Sequence, residues 1–281
     1  MIRTGGVIGT GSSRLGASTR WVVDDGGPED SDAPRQLFCF AHAGGGPSFF
    51  RPWRAPLGPE IDVRRVLLPG REWRLDERPF RHITELIGPL CAALEPYLDQ
   101  PYALFGHSMG AVVAYEVARR FTGSSRAAPT CLIVSGRPAP GLGSSRQRLS
   151  GLPDDQFVAE VSRLNGIPPE VLSEPELLDM LLPALRADYE LAETYQPLPG
   201  GRLDCPVVAY LSTADPEVDQ AGVLGWGEVT TGEFSIRVFR GDHFYLKGGR
   251  PDVLNAVRDD LRPDRSAHRL GSPARSKETA R

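Results

Sequence analysis

The sequence predicts an α/β protein: a mostly parallel, doubly wound sheet with an inserted helical subdomain. Three observations predict it. Six short runs rich in Val, Ile, Leu and Phe recur along the 281 residues, helical patterns separate most of them, and one long interval carries two helical patterns with no strand between. Strand alternating with helix is the signature of a parallel sheet covered on both faces.

Taken in order, residues 1–32 are dominated by Gly, Ser, Thr and Asp, with one short apolar patch at Trp21–Val23. Such a composition cannot bury a core of its own, and most of this extension is expected to be disordered. The runs "QLFCFAH", "DVRRVLLP", "YALFGH", "TCLIVSG", "PVVAYLST" and "SIRVFRG" follow. They are continuously apolar rather than alternating, as strands buried on both faces are. "ITELIGPLCAALEPYL" and "SMGAVVAYEVARRF" read as helices between them, and no internal repeat is visible. The core is expected at 33–149 and 201–261, with 150–200 as the insertion. From Arg262 the tail "RPDRSAHRLGSPARSKETAR" has six Lys/Arg against two acids and no apolar periodicity, so a disordered basic tail is expected over 262–281.

The insertion reads as a helical subdomain, "LPDDQFVAEVSRLNG" followed by "SEPELLDMLLPALRADYELAETY". In the second pattern Leu177, Leu178, Leu181, Leu182 and Leu185 share one face, and Ser173 with Glu176 suggests a capping box. Pro183 removes a backbone hydrogen bond inside the pattern, which predicts a kink near Asp179–Leu182. A kinked apolar helix suits a lid or wall over a cleft.

Composition narrows the function classes. A formal net charge of −4 supplies no general basic field, which argues against nucleic acid as a partner. No apolar run approaches the roughly 20 residues of a membrane span, and the start lacks the apolar centre of a signal peptide, so a cytoplasmic protein is expected. Cys39, Cys91, Cys131 and Cys205 are far apart, and three lie in or beside strand-like runs, which predicts buried free thiols rather than disulfides or metal ligands.

The stretch Gly106-His107-Ser108-Met109-Gly110 carries the chemistry. A nucleophilic serine needs exposure at a strand end, a base within reach, and donors for the oxyanion it creates. An apolar run before Ser108 and a helical pattern after it supply the strand-turn-helix context, and Ala111 and Ala114 allow the helix to lie close to the sheet. The base belongs C-terminal to the serine; downstream only His243 and His268 remain, and His243 follows the last strand-like run while His268 sits in the polar tail. Asp215 directly follows "PVVAYLSTA" and is the first choice of acid, with Asp219 next. Asp204 stands at the wrong strand end, and Asp242 adjoins the base too closely to orient it. "HAGGG" at 42–46 offers a second oxyanion donor, so the backbone N–H groups of Ala43 and Met109 are expected to bind the oxyanion, with His42 and His107 structural.

Together these residues resemble the stand-alone type II thioesterases that accompany polyketide synthases and nonribosomal peptide synthetases. The resemblance runs from about Trp21 to Leu261 and rests on "LFCFAHAGGGPSFFRPW", "LPGREWRLDERPF", "LFGHSMGAVVAYEVAR", "SGRPAP", "LNGIPPEVL", "LLPALRADYELAETY", "DP" at 215–216 and "FSIRVFRGDHFYL". It implies the α/β-hydrolase fold, a triad of Ser108, Asp215 and His243, and a lid over an acyl-binding chamber at 150–200. It also implies hydrolysis of stalled or wrongly primed acyl groups from the phosphopantetheine arm of carrier proteins, with no cofactor and no metal. Departures from the family pattern are Ala41, Ser212 and Asp242, the last adding a negative charge beside the base. Carrier proteins are generally acidic, and Arg71 and Arg74, after "LLPG", are candidates for a basic docking entrance or else ordinary solvated arginines. A general carboxylesterase, an acyl-coenzyme A thioesterase, or a non-catalytic carrier-binding protein would share much of this pattern, since fold and triad do not specify the bond cleaved.

Overall fold

The computed structural model describes residues 21–23, 35–124, 128–142 and 147–262. The disorder expected in most of 1–32 and of 262–281 falls outside those residues, as does His268. Seven strands form one sheet: β1 (Val22–Val23), β2 (Gln36–Phe40), β3 (Asp62–Val66), β4 (Tyr102–His107), β5 (Leu132–Ser135), β6 (Val207–Ser212) and β7 (Phe234–Phe239). Their spatial order is β1-β3-β2-β4-β5-β6-β7, and every neighbouring pair is parallel except β1 with β3.

Six of the strands are the six apolar runs. Continuous burial holds for β2, β4 and β5, whose residues are all buried, whereas edge strand β7 is mostly half-exposed. The reason is position: a strand is covered on both faces only in the middle of the sheet. β1 has no counterpart in the predicted elements. Its two residues pair antiparallel with Val66 and Arg65, and the carbonyl of Trp21 accepts the Leu67 N–H at 2.8 Å.

Alternate residues of each central strand face two separate apolar layers. Phe38, Leu104, Leu132 and Val207 pack with α2 (Ile83–Leu94) and α3 (Met109–Phe121), while Leu37, Phe105, Ile133 and Val208 pack with Trp53 and with α8 (Pro251–Asp260). Two short helices, α1 (Arg54–Leu57) and α7 (Gln220–Leu224), complete the two faces. The four cysteines are buried and free.

The interval from 150 to 200 holds α4 (Asp154–Arg163), α5 (Pro169–Leu172) and α6 (Pro175–Thr194). These helices enclose a small core of their own, Phe157, Val161, Ile167 and Leu185, against which Leu178, Leu182 and Tyr189 pack. The five-leucine stripe therefore divides. Leu178, Leu182 and Leu185 lie on the seam toward α4; Leu177 is exposed and Leu181 half-buried, on the neighbouring seam that continues through Ala184 and Asp188. The capping box is corrected: Ser173 donates its hydroxyl to the carbonyl of Glu170, and α6 begins after Glu174 with a proline in its first turn and no side-chain cap. A proline at that position needs no capping acceptor for the N–H it lacks. The helix continues through Pro183, whose missing N–H leaves the carbonyl of exposed Asp179 without its usual donor.

Candidate active site

The chain runs from β2 to β3 on one side and then returns to β4 on the other, so the sheet's topological switch lies between β2 and β4. Ligands in open α/β sheets bind beyond the carboxyl ends of strands at such a switch. Ser108 follows β4 and the loop 42–46 follows β2, so both stand there.

Ser108 adopts φ 55° and ψ −118°, outside the common regions for a side-chain-bearing residue. Holding it costs of order 1–3 kcal/mol. The surroundings enforce it. The Ser108 N–H donates to the carbonyl of Ser135 at 2.8 Å and its carbonyl accepts from Ala111 at 3.0 Å. A Cβ at Gly106 would overlap the carbonyl of Gly110, and one at Gly110 would overlap the carbonyl of Phe40, so only glycines allow α3 to start this close to the sheet. The turn leaves Ser108 half-buried at the start of α3, beside Met109, whose N–H is among the first donors of a helix and has no intrahelical acceptor.

His243 lies in the loop after β7, with Nδ1 at 2.8 Å from Oδ2 of Asp215. Both side chains are nearly inaccessible to solvent. The second carboxylate oxygen of Asp215 accepts the Glu217 N–H at 2.8 Å, which fixes its orientation. With Nδ1 engaged by a carboxylate, a neutral ring keeps Nε2 as its acceptor. Asp219 serves a different purpose: it is the N-cap of α7, accepting the Gly222 N–H at 2.7 Å. Asp204 is exposed before β6. The exposed Asp242 carboxylate accepts the Phe244 N–H at 2.9 Å and reaches Asn165 of the helical insertion at 3.5 Å. Ser212 ties the end of β6 to the loop that carries His243 by donating to the carbonyl of Gly241.

Two further histidines lie close by. The His107 ring lies 4.8 Å from that of His243, and its Nδ1 meets the hydroxyl of Ser135 at 3.0 Å, which in turn meets the Tyr245 hydroxyl at 2.8 Å. His42 packs edge-on against Phe49 and Phe244. Burial, with the nearby charge of His243 next, holds the His107 imidazole well below its ordinary range, and burial likewise lowers His42 to about 3. Both are neutral rings at neutral pH, consistent with a packing role.

In the loop 42–46 two backbone donors are spent. Gly44 N–H donates to Oδ2 of Asp188 at 2.7 Å, and Gly45 N–H to the carbonyl of His42 at 2.9 Å. Among the described residues no acceptor is bonded to the Ala43 N–H. An apolar cavity lined by Phe40, Ala41, Val66, Leu68, Met109 and Val113 opens beside this loop and the start of α3.

Arg71 and Arg74 are corrected. Both are buried, at 4% and 5% exposure, and so present no charge to an approaching partner. Arg71 makes a two-pronged ion pair with Asp188, Nη1 to Oδ2 at 2.6 Å and Nη2 to Oδ1 at 2.8 Å. Arg74 donates to Glu77 and to the carbonyl of Leu67, with its guanidinium 4.2 Å over the Trp21 ring. Asp188, Ser135, Tyr245 and Glu72 went unnoticed in the sequence. For Asp188 a signal existed: it is a carboxylate on the seam of α6 that otherwise carries Ala184 and Leu191.

Residues 35–261 match the family described as thioesterase domain. The chain belongs to the thioesterase family. It is 36% identical to the gramicidin S biosynthesis protein GrsT of Aneurinibacillus migulanus, over 86% of this chain and 94% of that protein. It is 39% identical to thioesterase PikA5 of Streptomyces venezuelae, over 85% of each. Among solved structures, the type II thioesterase BorB from the borrelidin biosynthetic cluster superposes with a TM-score of 0.77 at 40% identity, covering 86% of this chain and 98% of BorB. This thioesterase is therefore a hydrolase of thioester bonds with an α/β-hydrolase fold. Among its described residues no group of His, Cys, Asp or Glu could hold a metal ion, and no helix is long and apolar enough to cross a membrane.

Proposed function

We propose that this thioesterase removes acyl groups, including stalled or wrongly primed ones, from the phosphopantetheine arms of carrier proteins in polyketide or nonribosomal peptide assembly. The observation that carries the chemistry is the 2.8 Å bond between Asp215 and His243, whose ring lies 4.8 Å from that of His107, the residue before a serine held in a strained turn. The relatives' part in such pathways supports the substrate class.

In this reading Ser108 Oγ attacks the thioester carbonyl while His243 Nε2 takes the hydroxyl proton. Asp215 keeps the proton-bearing Nδ1 in place and stabilises the imidazolium. The N–H groups of Ala43 and Met109 receive the charge that develops on the carbonyl oxygen. Collapse breaks the carbon–sulfur bond and His243 returns its proton to the departing thiolate. Water, deprotonated by His243, then attacks the acyl-serine; collapse releases the acid and restores Ser108 with the same proton. The helices at 150–200 would act as the lid.

The test compares kcat/KM for one acyl group on a holo carrier protein, on coenzyme A and as an oxygen ester. Preference for the carrier-bound thioester is expected. Equal efficiency on carrier and coenzyme A would leave a small-molecule thioesterase, and preference for the oxygen ester a carboxylesterase. Asp215→Asn is expected to lower kcat by about 10³-fold or more, and Asp219→Asn to leave it nearly unchanged. The reverse order would reassign the acid.

A further inference from the structure

Two loops and one helix of the insertion meet around Ala43. Asp188, 2% exposed on α6, accepts the Gly44 N–H at 2.7 Å and is itself clamped by both terminal nitrogens of Arg71. Arg71 donates onward to the carbonyls of Gly45 at 3.0 Å and Pro69 at 3.3 Å. The pair thus grips the N–H of one peptide in the loop and the carbonyl of a later one. Gly44 has φ 76°, and a Cβ there would stand 2.6 Å from Cδ1 of Leu185, so α6 presses on the loop with its side chains as well.

We infer that Asp188, held by Arg71, is a positioning residue for the oxyanion donor, locking the Ala43 N–H in its catalytic orientation and coupling it to α6. The inference rests on the assignment of that N–H under the proposed function. The Gly44 peptide is joined to the Ala43 peptide through a single Cα, so fixing one plane leaves only the two torsions of Ala43 to set the other. A buried ion pair is an inefficient way to add stability, because desolvation offsets most of the attraction. What this one supplies is a fixed acceptor. The arginine has a second effect: an unpaired carboxylate one peptide away from a developing oxyanion would repel it, and the two-pronged bond neutralises that charge.

The test uses two double variants. Arg71→Met with Asp188→Leu removes pair and acceptor; Arg71→Met with Asp188→Asn removes the pair but leaves an amide oxygen for the Gly44 N–H. Apolar replacement of a buried pair is commonly tolerated, and thermal unfolding checks that both fold. The leucine pair is expected to lose about 10- to 100-fold in kcat on an acyl-pantetheine thioester with KM within about threefold, and the asparagine pair under about fivefold. Affinity for a trifluoromethyl ketone analogue, which forms an oxyanion adduct on Ser108, should fall in parallel, while an amide analogue of the substrate binds as before. If the leucine pair does not fold, Asp188→Glu takes its place: it keeps the ion pair and displaces the acceptor by one methylene, with the same expected split. Unchanged kcat in a folded leucine pair, an equal loss in both pairs, or unchanged ketone affinity would overturn the inference. Running the series on p-nitrophenyl butyrate as well separates it from the substrate reading: a protein that cleaves only the oxygen ester sinks that reading, and the variants still report on the donor.

Discussion

The turn at Ser108 and the loop at Ala43 face each other across the switch in the sheet, and they are held in opposite ways. Backbone holds the first: Ser135 and Ala111 bond its peptide groups, and Gly106 and Gly110 let α3 touch β2 and β4 directly. Side chains from distant segments hold the second. Asp188 and Arg71 grip Gly44 and Gly45, while Glu72 accepts both the N–H of Ser48 at 3.1 Å and its hydroxyl at 2.8 Å. The proposed nucleophile on a rigid turn and the proposed donor on a braced loop would divide the labour between a part that cannot move and a part that α6 can address.

The contrast makes graded predictions. At the rigid turn, Ser108→Ala should lower kcat by about 10³-fold or more with the melting temperature unchanged or raised, since it removes one half-buried oxygen. Gly110→Ala should fail differently, by loss of folded protein, because its Cβ cannot be placed without moving β2. A folded, active Gly110→Ala would show that the turn is as adjustable as the loop. At the braced loop, Glu72→Ala should fold and lose only a fewfold in kcat, as Asp188 and Arg71 still hold the neighbouring peptides; a loss matching that of Ser108→Ala would mean the bracing is not shared.

The smallest effect concerns the neutral rings between the two regions. Burial holds His42 and His107 below their ordinary range, so the unfolded chain binds more protons than the folded one once pH drops below about 6.5. Their contribution is intact above that pH and declines below it, by up to about 1.4 kcal/mol per pH unit for each ring. Urea unfolding at pH 7 and pH 5 should show a smaller acid loss in His107→Gln than in the parent chain. Equal losses would mean that the ring protonates in place.

The same division governs what could be read without coordinates. Ser108, His243 and Asp215 were legible because each sits at the end of an apolar run, and the run itself announces a strand end. The six parallel strands were legible for the same reason. Asp188 was hidden because its partners lie 117 and 144 residues away, at distances no local pattern encodes. Arg71 and Arg74 were misread because charge is visible in a sequence and burial is not. β1 went unseen because two residues carry no periodicity, and the Ser173 cap failed because Pro175 starts the helix in another register. Among the leucines of α6, spacing showed a shared face, but the direction in which that face would split depended on α4.

The short antiparallel strand has a bearing on where this chain can be cut. Trp21 lies beneath the guanidinium of Arg74 and closes the ladder at Leu67, on the same stretch that presents Arg71 and Glu72 to the loop at Ala43. A version trimmed to the first long strand would keep every residue of the sheet's parallel part and every member of the candidate triad. It would also strip the ring from a buried cation and the acceptor from a buried amide, three residues from the arginine that grips the loop at Ala43. The described edge of the sheet therefore reaches back to Trp21, in a segment whose composition marks it as expendable.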